Sequence, residues 1–410
     1  MICCDQTVAI VTGRSRAVRL REVALVFTRL GFTAFGGPAA HVALMEDEVV
    51  RRRGWVSREQ FLDLVALVNF IPGPNSTELA IHLGLLRAGF AGLCVAGACF
   101  IFPAVLIILP LAYAYVRFGK LPTVTHAMAG INAAVVAVLV VACWRFGRSA
   151  LKDRFTVGIA LVAGAAALGA RFRPVPQAEL LILTVAAAAG AARAGGLRRL
   201  GAGPAALPAL LPPLLAAGAA STQPAGLTMT GMALFFLKVG ATLFGSGYVL
   251  VSYLDAGLVA QRGWLTKPQL LDAVAVGQVT PGPLLTTATF VGYVLGHRAY
   301  GTVGAVAGAL LATAAIFLPA FVFVAALGTV LPRLSRSPVA RGALDAASAA
   351  VVALIVVVTV TLAASALRTA TSIAVVAAAA VALLAFKVNA TWVMLAAALV
   401  GMASGLWLSH

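Results

Sequence analysis

Two short stretches of this chain hold the residues best suited to chemistry. Ile71-Pro72-Gly73-Pro74-Asn75-Ser76-Thr77-Glu78 recurs as Thr280-Pro281-Gly282-Pro283-Leu284-Leu285-Thr286-Thr287. Two prolines around a glycine remove two backbone donors and forbid a continuous helix, so each segment must split into two half-helices. Proline just ahead of the second half suits a helix start. The amides of about residues 75–78 and 284–287 then stand at the positive end of a helix dipole, a ready cradle for an anion. Asn75, Ser76, Thr77, Thr286 and Thr287 add side-chain donors. A plain turn at a membrane surface could also use Pro-Gly-Pro. Its repetition at matched positions favours a place on a substrate pathway.

A second break accompanies the first. Phe35-Gly36-Gly37-Pro38 recurs as Phe244-Gly245-Ser246-Gly247, where the glycines permit either close helix packing or an unwound stretch. A few residues earlier Arg29 and Lys238 occupy the same repeat position. A cation inside an apolar helix is costly and marks a functional site by default, although both could snorkel to the surface. In antiparallel repeats the two could approach one anion from opposite sides. Asp63 and Asp272 also repeat, ahead of each Pro-Gly-Pro. Glu78 has Thr287 as its counterpart, and His41 has no histidine in the other copy. These four are the candidate proton carriers, with helix capping and plain packing as the alternatives. Glu46, Asp47 and Glu48 beside Arg51–Arg53 read as interfacial salt bridges of little energetic weight.

The elements that must position these residues come in two copies. Residues 27–74 align with 236–283 without a gap, with about 18 identities in about 48 positions. Arg53-Gly54-Trp55 returns as Arg262-Gly263-Trp264, and Ile101-Phe102-Pro103-Ala104 matches Phe317-Leu318-Pro319-Ala320. The 410 residues are 61% hydrophobic and only 10% charged, with mean hydropathy +1.01. Uncharged runs at 88–116, 121–144, 155–170, 299–332, 346–367, 369–386 and 388–410 compare with about 20 residues for a spanning helix. The alternation of a barrel strand is missing. The fold class expected is an all-α polytopic membrane protein of two homologous transmembrane repeats, each with Pro-Gly-Pro-broken helices.

Each unit should hold a helix carrying the Phe-Gly motif (about 22–45 and 228–254), the broken segment (57–88 and 266–297), a long proline-containing span (89–116 and 299–331) and a fourth span (123–146 and 339–365). The expected organisation is a basic tail over 1–21, a first repeat over 22–199, a Pro/Ala-rich linker or extra span over 200–226, and a second repeat over 227–410. Arg145, Arg148, Lys152 and Arg154 follow the fourth element of the first unit, whereas Arg333, Arg336 and Arg341 follow the third element of the second. By the positive-inside rule the repeats then face opposite ways, an inverted pair.

Several classes are excluded or disfavoured. The net charge of +17 sits at the ends of apolar runs, with no basic face interleaved with aromatics, so nucleic acid is not the partner. The N-terminus lacks the pattern of a signal peptide. Cys94, Cys99 and Cys143 fall within apolar runs and read as packing residues. Cys3-Cys4 could catch a soft metal ion or belong to a frayed tail. His41, His82, His126, His297 and His410 form no metal cluster in sequence. No nucleophile elbow, HExxH or phosphate loop is present, so an enzyme is not expected, a lipid-modifying one included, and no cofactor or metal is called for.

Phe35–His41, the acidic-then-RRRGW stretch at 46–55 and PGPNSTELAIHLGLLRAG at 72–89 resemble the long-chain, two-repeat type of the chromate ion transporter (CHR) family, over nearly the whole chain. The resemblance implies an inner-membrane, multi-pass protein that moves chromate, conferring resistance by efflux and driven by the proton gradient, with sulfate as a possible further cargo. The second copy departs from the first motif, with Ser246 and Gly247 where the first has Gly37 and Pro38, and Glu78 stands where the resemblance leads one to expect glutamine. Chromate and sulfate are tetrahedral dianions suited to helix N-termini, hydroxyls and one or two cations. The resulting expectation is a proton-coupled secondary transporter of such oxyanions in the cytoplasmic membrane. Substrate would be held by Arg29, Gly36, Gly37, Pro72, Gly73, Pro74, Asn75, Ser76, Thr77, Lys238, Gly245, Pro281, Gly282, Pro283, Thr286 and Thr287. A transporter of sulfate or another anion, or a passive anion channel, is the alternative, and an intramembrane lipid-modifying enzyme is the remote one. The lipid bilayer, the anion and protons are the partners, and a homodimer is allowed.

Overall fold

Helices are the only regular elements among the described residues of the computed structural model, which covers 15–35, 37–172, 175, 177–195, 226–245, 247–327 and 337–408. The first repeat contains α1 (Arg16–Thr33), α2 (Pro38–Glu46, prolonged by a π-turn over Asp47–Arg52), α3 (Arg58–Val68), α4 (Asn75–Phe118), α5 (Pro122–Ala150), α6 (Arg154–Phe172) and α7 (Ala178–Arg193). The second contains α8 (Met229–Thr242), α9 (Val249–Leu254, prolonged by a π-turn over Asp255–Gln261), α10 (Lys267–Val279), a 3-10 turn (Leu284–Thr286) leading into α11 (Thr287–Leu327), α12 (Pro338–Ala366), α13 (Ala370–Leu384) and α14 (Ala390–Leu408). The repeat is written into the local chemistry. α3 and α10 start on capping boxes at matched positions, Ser57 with Gln60 and Thr266 with Gln269. Gly36, Ser246 and the stretch 196–225, which takes in nearly all of the linker-or-span segment, lie outside the described residues.

The motif helix of each unit is not continuous. α1 ends at Thr33, the chain breaks at Ala34–Gly37, and α2 runs back along α1. The return is read from the pairs: the His41 ring meets the carbonyl of Ala34 at 3.0 Å, and Arg29 meets Glu48 at 3.9 Å. In the second repeat Tyr253 donates to the carbonyl of Thr242 at 3.1 Å, and Arg262 lies over the Phe235 ring at 5.2 Å.

The Pro-Gly-Pro segment doubles back in the same way. Asn75 donates to Asn69 at 2.6 Å close to the tip, and Arg87 covers the Trp55 ring near the base at 5.3 Å. In the second copy a Cβ on Gly277 would overlap the Thr287 hydroxyl, and Arg298 donates to the carbonyl of Trp264 at 2.6 Å. The two half-helices are therefore the arms of a re-entrant hairpin with Pro-Gly-Pro at its tip. A third reversal follows at Ala88–Gly89 and Tyr300–Gly301, where the glycines adopt φ of +68° and +67°. L side chains rarely adopt that conformation.

The repeats are inverted. The long arm of α4 leaves Gly89 beside the base of the first repeat's hairpins, passes the second repeat's tip where Ala104 faces Gly282, and continues to Tyr115. There the Tyr115 hydroxyl donates to Asp272 at 2.7 Å, only five residues after the start of α10 at Lys267. From Gly89 to Tyr115 is about 39 Å of helix at roughly 1.5 Å per residue. The hairpin bases of the two repeats thus lie at opposite ends of α4. α11 reciprocates: Ala320 reaches Gly73, and Phe321 packs on Gly97. Ile71, Ile81, Leu93, Ala320 and Val324 form one buried cluster drawn from both repeats.

Five helical stretches, residues 75–118, 122–150, 154–172, 284–326 and 338–366, are long and apolar enough to cross a membrane. α6 turns Leu161 and Val162 outward, as a lipid-facing helix does. The protein is a multi-pass membrane protein.

Candidate functional site

Four tips meet in the middle, two from each repeat. The amide of Gly73 donates to the carbonyl of Leu243 at 2.7 Å, and the amide of Gly282 donates to the carbonyl of Ala34 at 3.0 Å. The pairs are related by the repeat: Gly73 corresponds to Gly282 and Ala34 to Leu243. Each Pro-Gly-Pro tip therefore closes on the helix break of the opposite repeat. Gly73 and Gly282 hold φ of +142° and +98°, and both are buried with their flanking prolines. Glycine is required there by conformation and by space alike.

The first repeat's side is tightly packed. Glu78 is fully buried and both of its carboxyl oxygens lack a partner among the described residues. One oxygen occupies the volume that a Cβ on Gly73 would need. The amides of Thr77 and Glu78 are taken by the carbonyl of Pro74, at 2.8 and 3.0 Å, which leaves those of Asn75 and Ser76 as the orphan donors of the helix start. The buried Thr77 hydroxyl has no partner either. His82 turns its Nδ1 to the carbonyl of Glu78 at 3.3 Å.

The second repeat's side keeps a cavity of about 20 Å³, lined by Ala34 and Gly37 from the first repeat and by Gly247, Tyr248, Gly277, Gln278, Thr280, Gly282 and Leu284 from the second. That volume suits about one water molecule. Gln278 faces Tyr248 as a side-chain partner, whereas the Thr287 hydroxyl is buried without a partner among the described residues and lies against Gly277 in the cavity wall. Thr286 instead donates its hydroxyl to the carbonyl of Pro283 at 2.7 Å. Beside the cavity, the Gly245 backbone packs on Phe146 of α5, and the neighbouring Arg145 lies in electrostatic range of Tyr248.

The remaining sequence candidates lie apart from the tips. Arg29, 64% exposed, faces Glu48. Lys238 lies in the field of Glu179 on α7, next to a cavity of about 330 Å³ that holds Arg171, Glu179, Asp255 and Lys267. The two cations thus have different neighbours and do not converge in this closed arrangement. Asp272 is buried and accepts from Tyr115 and Asn132 at 2.7 and 2.8 Å, whereas Asp63 is exposed on α3. His41 spends one ring nitrogen on Ala34 and leaves its buried Nδ1 unpartnered. The acidic and basic cluster forms the anticipated ion pairs: Arg53 with Glu48 at 2.8 Å, Arg52 with Asp47 at 2.9 Å and Arg58 with Glu46 at 3.7 Å.

Set beside known proteins, residues 21–191 and 230–402 each match the chromate transporter family model, one match per repeat. The chain belongs to the chromate transporter family. Among its relatives are the chromate transport protein of Cupriavidus metallidurans, 30% identical over 85% of this chain and 84% of that protein, and the chromate transport protein of Pseudomonas aeruginosa, 33% identical over 80% and 77%. The probable chromate transport protein of Synechococcus elongatus is 31% identical over 77% and 76%. No solved structure matches the chain. The family repeat also carries residues that the motif reading passed over. Gln278 and Asn69 hold the same position, three residues ahead of each Pro-Gly-Pro, so a polar amide recurs at the tip of an otherwise apolar arm.

Proposed function

We propose that this protein is a secondary active transporter of tetrahedral oxyanions, chromate first and sulfate by the same chemistry, working by alternating access between its inverted repeats. Chromate leaves the cell across the cytoplasmic membrane, with protons as the coupling ion. The observation that carries the reading is the reciprocal closure of the tips. Gly73 and Gly282 each give an amide to the opposite repeat, and parting the repeats frees those amides together with the orphan donors of the following helix starts. Freed amides at a helix N-terminus suit a dianion. Irregular backbone at membrane depth is tolerated where it is buried in protein or lines a wet cavity, and these tips fit both conditions in turn.

Arg29 and Lys238 serve the anion on its way in and out, each about one helical turn before the break of its own repeat. Glu78 carries the coupling proton. An ionised carboxylate buried without a partner costs several kcal/mol, so the side chain suits a cycle in which a proton arrives and leaves as the repeats part. A water-sized middle closed by two hydrogen bonds argues against an open channel. Exchange across liposomes tests the reading: chromate loaded inside should speed uptake of labelled chromate from outside, with sulfate competing. Uptake indifferent to internal chromate would point to a channel, and no chromate flux by folded protein would overturn the proposal.

A further inference from the structure

The tips are related by the repeat but their chemistry is not, and the difference falls along one line. On the first repeat's side the fourth position after Pro-Gly-Pro holds Glu78, whose carboxyl fills the space over Gly73. On the second repeat's side the same position holds Thr287, whose hydroxyl lies against Gly277 of the cavity wall. The Thr287 hydroxyl, 1% exposed, lacks a partner among the described residues, and Gln278 faces Tyr248 in the cavity lining. Arg145 of α5 donates to the carbonyl of Leu383 at 3.1 Å, and Thr361 of α12 stands at the corresponding repeat position. A carboxyl in contact with a dianion is repulsive, whereas amide, hydroxyl and guanidinium donors attract it.

We infer that the two tips divide the labour. A single oxyanion subsite forms at the second repeat's tip, from Gln278, Tyr248, Thr287 and the amide of Gly282, and the first repeat's tip takes no anion because Glu78 occupies it. This deepens the transport reading above and rests on it. The cavity as closed is too small for a four-oxygen anion, so binding widens it by exchanging the bond from Gly282 to Ala34 for a bond to the anion. Gln278 then acts as a specificity-determining residue: its side-chain amide, which faces Tyr248 in the closed form, turns to donate to the anion.

Equilibrium binding of chromate to the purified full-length protein in detergent tests the assignment, with Gln278→Glu set against its repeat counterpart Asn69→Asp. Both exchange an amide for a carboxylate of the same size. Asn69 uses its oxygen to accept from Asn75, a role that aspartate retains. Gln278→Glu should weaken chromate binding at least tenfold, in line with the roughly tenfold or greater weight of a hydrogen bond to a charged group, while Asn69→Asp leaves affinity within about twofold. Gln278→Leu, which removes the donor without adding charge, should weaken binding about tenfold, and thermal melting of each variant checks that it is folded. Equal losses in the two repeat positions, or unchanged affinity in folded Gln278→Glu, would overturn the division of labour while leaving the transport reading intact. Failure of the wild-type protein to bind either chromate or sulfate would overturn both.

Discussion

Gly73 gives its amide to the carbonyl of Leu243 at 2.7 Å, joining the tip of the first repeat's re-entrant hairpin to the helix break of the second. Its counterpart from Gly282 to Ala34 makes the contact reciprocal. Two hydrogen bonds are a small net barrier, about 1 kcal/mol each by the usual scale. They can hold the middle closed and still be exchanged for bonds to a substrate.

The glycines themselves are the first point of test. Gly73→Ala puts a methyl on the Glu78 carboxyl, whereas in Gly282→Ala the new methyl meets Ala104 Cβ at 3.2 Å. Both substitutions also strain a left-handed backbone, at about 1–3 kcal/mol. Gly73→Ala should therefore lower the thermal melting temperature in detergent more than Gly282→Ala does. Adding Glu78→Ala should restore part of the loss in the first variant only. Strictly additive losses would mean that the carboxyl does not occupy the space over Gly73.

Asp272 should matter to stability and Asp63 should not. Asp272→Ala leaves the Tyr115 hydroxyl and the Asn132 amide without their acceptor between the repeats, at about 1–3 kcal/mol for each buried group left unmade. Asp63→Ala changes an exposed residue and should stay within about 0.5 kcal/mol. Melting curves of the two variants side by side decide the matter, and equal losses would contradict the assignment.

How much of this was legible before the structure can be judged on those same residues. The repeat, the forced break at Pro-Gly-Pro and the solitary Glu78 are local facts, readable because proline and glycine constrain the backbone wherever they occur. The opposite facing of the repeats could be read from the distribution of arginines. The doubling back of each broken segment could not, because a helix break fixes where a helix stops and leaves open where the next one goes. That direction depends on pairs such as Arg87 on Trp55 and Arg298 on the Trp264 carbonyl. The split between Asp63 and Asp272 was also hidden, since their environment comes from α4 and α5. Tyr115 and Asn132 serve Asp272, while the corresponding repeat positions are Leu331 and Ser348. Tyr248 and Gln278 are hidden for a different reason: a Pro-Gly-Pro break marks the helix start that follows it and gives no signal for the amide that precedes it.

A pH-dependent contact joins the start of α6 to the end of α7 outside the spans. Asp153 accepts from the Thr156 amide and hydroxyl and from Arg193, and these bonds hold its carboxyl down to about 2. With its acidity lowered by folding, the group contributes stability above the ordinary value of 3.8 and loses it as pH falls toward 2. The melting temperature of Asp153→Asn should accordingly lie below the wild type at neutral pH and converge with it as the medium is acidified through that window. A gap that stays constant from pH 6 to pH 2, values set for the assay across that window, would show that the carboxyl is not the cause.

Glu78→Gln keeps the shape of the first tip and removes its titration. Transport by this variant should lose most of its pH dependence while thermal melting shows that the protein is folded. An unchanged pH profile would take Glu78 out of the coupling mechanism.

The most direct test of the whole account is uphill accumulation of chromate in liposomes that hold the purified protein, with and without an imposed pH gradient. The account predicts gradient-driven accumulation above equilibrium, competed by sulfate and lost in Arg29→Ala and Lys238→Ala. Chromate that only equilibrates, whatever the gradient, would contradict it, and so would uphill transport that survives both substitutions.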